Sequence, residues 1–164
     1  MTKTLLIMRH AKSSWADPDR DDHDRPLNGR GKRDAKTMGR WLVARGLAPD
    51  VILSSSARRA RKTARRMTRH ASLSAPVHID ESLYHAGPAA LRHAVAALPP
   101  PVTIALIVAH NPGIEDFLTD LTNADEPMPT GAIAWVEFTG VERWDAIANA
   151  GKLCAVWRPR EIIF

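Results

Sequence analysis

The chain has 164 residues, 45% hydrophobic and 25% charged, which fits about one ordinary globular domain whose core needs no metal or disulfide staple. A lone cysteine, Cys154, excludes an intrachain disulfide, and no run approaches the ~20 apolar residues that span a membrane. With 23 Lys and Arg against 18 Asp and Glu the formal charge is +5, which implies an anionic partner without choosing among phosphorylated substrate, nucleic acid and membrane surface.

In chain order, an apolar strand over 4–8 comes first and ends on Arg9-His10-Ala11. The run before Arg9 is too short for a signal-peptide core, so the expected location is the cytoplasm. The acidic stretch DPDRDDHD at 17–24 alternates Asp17, Asp19 and Asp21 as a calcium loop does. An EF-hand needs glycine at its sixth position and glutamate at its twelfth, where this chain has Asp22 and Asn28. It reads as a solvated loop. Helical period covers 31–46, with Ala35, Met38 and Leu42 on one face and Gly46 as the stop. A strand at 51–53 runs through Ser54-Ser55-Ser56 into a helix over 57–71. There Ala57, Ala60, Ala64, Met67 and Ala71 form a narrow stripe, and Arg58, Arg61, Lys62, Arg65, Arg66 and Arg69 form a solvated face.

A third strand at 77–79 is followed by Asp80 and Glu81. An alanine-rich helix over 88–98 ends at Pro99-Pro100-Pro101. Residues 103–109 are nearly all apolar, as in a central strand covered on both faces, and lead to His110-Asn111-Pro112. Ile114, Phe117, Leu118 and Leu121 then mark a helix, with Asn111 expected as N-cap and Pro112 as its first residue. The run 132–138 alternates like an antiparallel neighbour, and 152–157 is the expected last strand.

Strands alternating with helices predict an α/β fold: a single three-layer domain over 1–164, with a mostly parallel central sheet flanked by helices. Ligands of such sheets collect at the carboxyl ends of the strands. Two imidazoles, two or three guanidiniums and a carboxylate stand there in this sequence. The set suits a phosphoryl group. Arginine binds phosphate oxygens through its planar fork, and a helix N-terminus adds oriented N–H donors. A neutral imidazole is a competent nucleophile toward phosphorus, and Ala11 leaves room for a phosphate against the backbone.

MRHAKS at 8–13 resembles the RHG signature of the histidine phosphatase superfamily, which also holds the phosphoglycerate mutases. SSARRARKTA at 55–64 is similar to its S-x-x-x-R-A-x-x-T-A segment, which aligns Arg59 with the second phosphate-binding arginine. VAHNP at 108–112 resembles the segment of the second histidine, here His110. Within the superfamily, the short chain, DRPLNGRG at 24–31 and LYHAG at 83–87 resemble the compact SixA-type phosphohistidine phosphatases. The likeness runs from about residue 4 to 113 and implies a phosphoglycerate-mutase-like fold. It implies His10 as the nucleophile, with Arg9, Arg59 and His110 holding the phosphoryl group. Arg25 and Asn111 are the expected further substrate contacts. Ala11 departs from the usual glycine of the signature, although SixA-like proteins often carry alanine there, and its methyl is expected to tighten the pocket.

For the proton donor, Glu81 and Asp22 compete, the first after the third strand and the second three residues before Arg25. Phosphohistidine needs little acid help, because imidazole leaves easily once protonated. The resemblance thus implies a metal-independent hydrolase working through a phosphohistidine enzyme intermediate, on protein phosphohistidine. The alternatives are a phosphatase of small phosphate esters and a phosphate-binding module without turnover. No metal is expected, since His70, His78, His85 and His93 show no ligand spacing, and no cofactor is implied. The expected partner is a phosphorylated protein or small phosphorylated substrate, with no nucleic acid and no membrane. The basic helix lacks the interleaved aromatics of a nucleic-acid surface and could instead dock an acidic phosphoprotein.

Overall fold

The chain folds, in a computed structural model describing residues 1–164, as β1 (Thr2–Arg9), α1 (Gly29–Ala44), β2 (Val51–Ser55), α2 (Arg58–Ala71) and β3 (Val77–Asp80). It continues through α3 (Pro88–Ala96), β4 (Ile104–Ala109), α4 (Gly113–Thr122), β5 (Ile133–Thr139) and β6 (Lys152–Trp157). The six strands form one sheet in the order β3-β2-β4-β1-β5-β6. β1, β4, β2 and β3 run parallel, and β5 alone opposes them, pairing antiparallel with β1 and with β6. The alternating run at 132–138 is therefore the antiparallel neighbour its pattern predicts.

Successive side chains on a strand point to opposite faces, and on the central strands both faces are apolar. Leu6 and Met8 of β1 and Leu106 and Val108 of β4 pack under α1 and α2, against Met38, Leu42, Ala60, Ala64 and Met67. Leu5 and Ile7, with Ala105 and Ile107, pack on the other face against Leu91 and Val95 of α3 and Phe117, Leu118 and Leu121 of α4. Three layers result, with the sheet in the middle. No helix is long and apolar enough to cross a membrane.

Two glycines fix how the helices meet the loops at the carboxyl edge. A Cβ on Gly31, in the first turn of α1, would lie 2.0 Å from the Lys12 carbonyl oxygen. A Cβ on Gly113, at the start of α4, would lie 1.9 Å from that of Ala86. Only glycine allows these backbones so close. The segment after His10 is thereby held on α1, and the loop 84–87 on α4.

The expected helix start at Asn111 is not found. Pro112 is the N-cap of α4, and Asn111 makes no capping bond. Its Nδ2 donates to Glu115 Oε1 and to the Met128 carbonyl, both at 2.9 Å. Ala11 is also placed differently from expectation. It is fully buried in the core beneath α1 and α2, and its N–H donates to Thr63 Oγ1 at 3.0 Å. Its small size fits helix packing rather than a ligand.

Candidate active site

His10 and His110 follow directly on the adjacent parallel strands β1 and β4, so the sheet itself brings the imidazoles together, with ring centroids 5.0 Å apart. Arg59 enters from the first turn of α2, beside the end of β2. Arg25 comes from the loop between β1 and α1. His10, His110, Arg59 and Arg25 are each 8% exposed or less. Four stretches distant in sequence therefore converge at one end of the sheet.

The hydrogen bonds assign the state of each ring. His10 Nδ1 donates to the Ala11 carbonyl at 2.7 Å, which leaves Nε2 without a proton. That lone pair accepts from Arg59 Nε at 3.3 Å. Arg59 Nη2 lies 3.5 Å from His110 Nδ1, and a guanidinium can only donate. His110 therefore carries its proton on Nε2 and donates it to Ser55 Oγ at 2.8 Å. Burial, reinforced by nearby cations, lowers both pKa values to about 3. Both rings are neutral at neutral pH.

Arg59 is the hub. Besides the two imidazoles it reaches Asp22, through Nη1 to the backbone carbonyl at 2.7 Å and through Nη2 to Oδ2 at 3.1 Å. Asp22 Oδ1 also accepts from Arg25 Nε at 3.1 Å, and Oδ2 from the Tyr84 hydroxyl at 2.6 Å. Burial alone would raise the Asp22 carboxyl. The Tyr84 bond and the two arginines outweigh it and hold the group well below the usual carboxylate range. Arg25 additionally donates through Nη1 to Ser13 Oγ at 2.6 Å and lies 3.5 Å from the centre of the exposed Trp15 ring. Arg9, the last residue of β1, donates to the Met128 carbonyl at 3.4 Å, and its Nε is buried without a partner.

Among the sequence-predicted residues, Arg9, His10, Arg25, Arg59 and His110 are brought together, with Asp22 among them. Glu81 is not. It is exposed, in a short 3-10 turn after β3, and its side chain forms no hydrogen bond or ion pair. β3 is the edge strand, three strand spacings or roughly 14 Å from β1, so the carboxylate expected at its end is left at the rim. Asn111 is near but commits both side-chain amide hydrogens elsewhere, so its side chain offers an anion no donor. Sequence reasoning missed three groups: Ser55, which orients His110; Tyr84, which holds Asp22; and Glu115, which accepts from the Asn111 amide and from the Met128 N–H at 2.8 Å. Ser55 and Tyr84 were visible only as members of the SSARRARKTA and LYHAG segments, and Glu115 left no trace.

Beside His110 a small pocket of about 180 Å³ opens between His85, Ala86, Gly87, Pro112 and Asp116. The Tyr84 ring lies tilted against His85, with centroids 3.9 Å apart, and meets His110 and His23 edge-on. The arrangement is a cationic cradle with a neutral imidazole nitrogen at its centre and an aromatic rim. It can hold a phosphoryl group and attack its phosphorus.

Known proteins resemble this chain in sequence and in fold. The sequence profile described as "Histidine phosphatase superfamily (branch 1)" matches residues 5–86, the stretch that holds Arg9, His10, Arg25 and Arg59. An uncharacterized protein of Mycobacterium leprae (strain TN) is 36% identical over 167 residues, covering 93% of this chain and 100% of its own. A structure from Nakamurella multipartitia, provisionally described as phosphohistidine phosphatase SixA, superposes with a TM-score of 0.85 at 31% identity over 97% of both chains. A protein histidine phosphatase SixA complexed with tungstate superposes with a TM-score of 0.78 over 96% of this chain and 97% of its own. Its 21% identity speaks to the fold alone.

Proposed function

The chain belongs to the histidine phosphatase superfamily and is a phosphatase, and from that premise we propose that it hydrolyses phosphohistidine on a protein, without a metal, through phosphorylated His10. The lone pair on His10 Nε2 attacks phosphorus in line, a bond forms from Nε2 to phosphorus, and the P–N bond of the substrate breaks. The departing imidazole nitrogen keeps the electron pair and takes a proton from solvent. Water then attacks the phosphorylated His10, releasing inorganic phosphate and returning the neutral ring. Arg9, Arg59 and Arg25 supply positive charge around the transferring oxygens, where charge develops. His110 turns Nδ1 toward the same oxygens and donates to them once that nitrogen takes up a proton.

The state of Asp22 carries the choice of substrate. The carboxylate tied into the cradle is held ionised by Arg25, Arg59 and Tyr84, and Glu81 stands outside. An alkoxide leaving group needs a positioned acid. An imidazole leaving group, protonated from water, does not.

The test is single-turnover labelling. With a histidine-phosphorylated protein carrying radiolabelled phosphate, the wild type should show a transient acid-labile, base-stable phosphoenzyme that His10→Ala lacks. Its kcat/KM on phosphohistidine should exceed that on p-nitrophenyl phosphate. Turnover of the ester with phosphohistidine left intact would establish the small-ester reading instead. Phosphate binding with neither label nor turnover would leave a passive binding module.

A further inference from the structure

Along the outer side of α2 lies an open groove of about 340 Å³ lined by Arg58, Lys62, Arg65, Arg66 and Arg69, with Lys32 of α1 opposite. None of these six cations takes part in an ion pair. α2 contains no acidic residue. Its spacing sets like charges four apart at Arg58 and Lys62, Arg61 and Arg65, Lys62 and Arg66, and Arg65 and Arg69, each pair mildly destabilising. A second groove of about 390 Å³, between Arg30 and Glu161, differs. There Arg30 pairs with Asp34 and Arg158 with Glu161. Two of the three arginines of that groove are paired within the molecule, whereas none of the six cations of the groove along α2 is.

Position decides what kind of anion. Arg58 precedes Arg59 in the chain, and Pro26, which forms the groove wall with Leu27, follows Arg25. One end of the groove is therefore built from the chain neighbours of Arg25 and Arg59, and the groove runs from there along α2. From Arg58 to Arg69 the cations extend for about 16 Å along the helix axis, a row rather than a cluster. A compact ligand would be met by converging side chains; a row fits a surface with spaced negative charges. The groove offers no aromatic side chain on which a nucleobase could stack. At the far end His70 is held below its ordinary pKa by slight desolvation and by Arg66, Lys36, Arg69 and Arg40, so the cationic field continues onto α1.

We propose that this face of α2 is a docking surface for the acidic side of a phosphohistidine-bearing protein, aligning the phosphorylated ring with His10. The assignment rests on the substrate reading above. It predicts a preference made outside the cradle.

Two peptides, each phosphorylated on one histidine by phosphoramidate, test it. They differ only in a following helical segment that carries Glu in one and Gln in the other. The wild type should cleave the Glu peptide with a kcat/KM at least about tenfold higher, the advantage lying in KM and fading as salt rises. Lys62→Glu/Arg65→Glu/Arg69→Glu should abolish that preference while leaving free N-phosphohistidine hydrolysis unchanged; the corresponding triple Ala variant should reduce it. Equal cleavage of the two peptides by wild type would overturn the proposal. So would a charge-reversed protein that keeps the preference but loses affinity for duplex RNA, which would make the face a nucleic-acid surface. Failure to cleave any of the three P–N substrates would sink the substrate reading itself, and the docking role with it.

Discussion

Arg59 Nε donates to His10 Nε2 at 3.3 Å, so the guanidinium expected to hold the phosphoryl group occupies the lone pair of the proposed nucleophile. The resting cradle is closed on itself. On the mechanism proposed above, an incoming anion draws Arg59 onto its own oxygens, and the same movement uncovers Nε2. Arrival of substrate and release of the nucleophile become one event.

That coupling predicts the behaviour of variants. Arg59→Ala should slow transfer of label to His10 by roughly 10²- to 10³-fold, the usual cost of losing one preorganised donor to a developing anion. It should also raise the His10 pKa, since Arg59 is among the cations that lower it below the effect of burial. Arg59→Lys should not restore the rate, because one ammonium cannot reach both imidazoles and Asp22 together. Quench-flow labelling and NMR titration of His10 check the two halves. A lysine variant at full speed would show that charge alone matters there.

The second imidazole predicts a proton count. In the free protein His110 has a pKa of about 3 and presents an unprotonated Nδ1 to the site. A tetrahedral dianion placed there favours the imidazolium, so binding of tungstate should take up close to one proton. Its affinity should then fall as pH rises from about 3 to the pKa of the complex and level off above it. Calorimetry in buffers of different ionisation enthalpy reads the proton directly. Ser55→Ala removes the oxygen that fixes the His110 tautomer and should weaken tungstate binding; His110→Gln should abolish the uptake.

How much of this was legible in the sequence depends on periodicity. The near-continuous apolar run at 103–109 marked β4 as central, and the Arg9-His10 and His110 ends of two strands named the site's centre without stating that the strands are neighbours. Strand order is a property of crossovers, and no local pattern records it. Asp22 lies in a loop without period, so its capture by Arg25, Arg59 and Tyr84 is visible only in three dimensions. Asn111 misled because an Asn-Pro pair before an amphipathic run carries the marks of a helix cap. Glu115, one turn further on, takes its amide instead.

The two carboxylates offered for proton donation should part company. Glu81→Gln touches nothing that the site uses and should change turnover less than about twofold on either an ester or a phosphohistidine substrate, as surface changes away from special features do. Asp22→Asn removes the counter-charge of Arg25 and Arg59 together and should reduce both activities by a similar factor. Steady-state rates on p-nitrophenyl phosphate and on N-phosphohistidine measure this. A selective loss of ester turnover in Asp22→Asn would instead assign Asp22 to leaving-group chemistry.

The buried neutral histidines make folding sensitive to mild acid. In the folded protein His10 and His110 have pKa values near 3, against 6.5 for the ordinary group. Between those values the unfolded chain binds more protons than the folded one, so stability rises with pH through that window. It is fully present above about 6.5 and is lost as the pH falls toward 3. Each histidine contributes a slope of up to about 1.4 kcal/mol per pH unit there. Asp22 acts lower still: its carboxyl is depressed in the folded state, so its contribution disappears only below its ordinary value of 3.8. His110→Gln keeps an amide able to donate to Ser55 but has no proton to take up, and should remove about one proton's worth of slope. Denaturant titrations between pH 4.5 and 7.5 give the comparison. An unchanged slope would mean that His110 already carries its charge in the folded protein, and the cradle would then hold an imidazolium before any phosphate arrives.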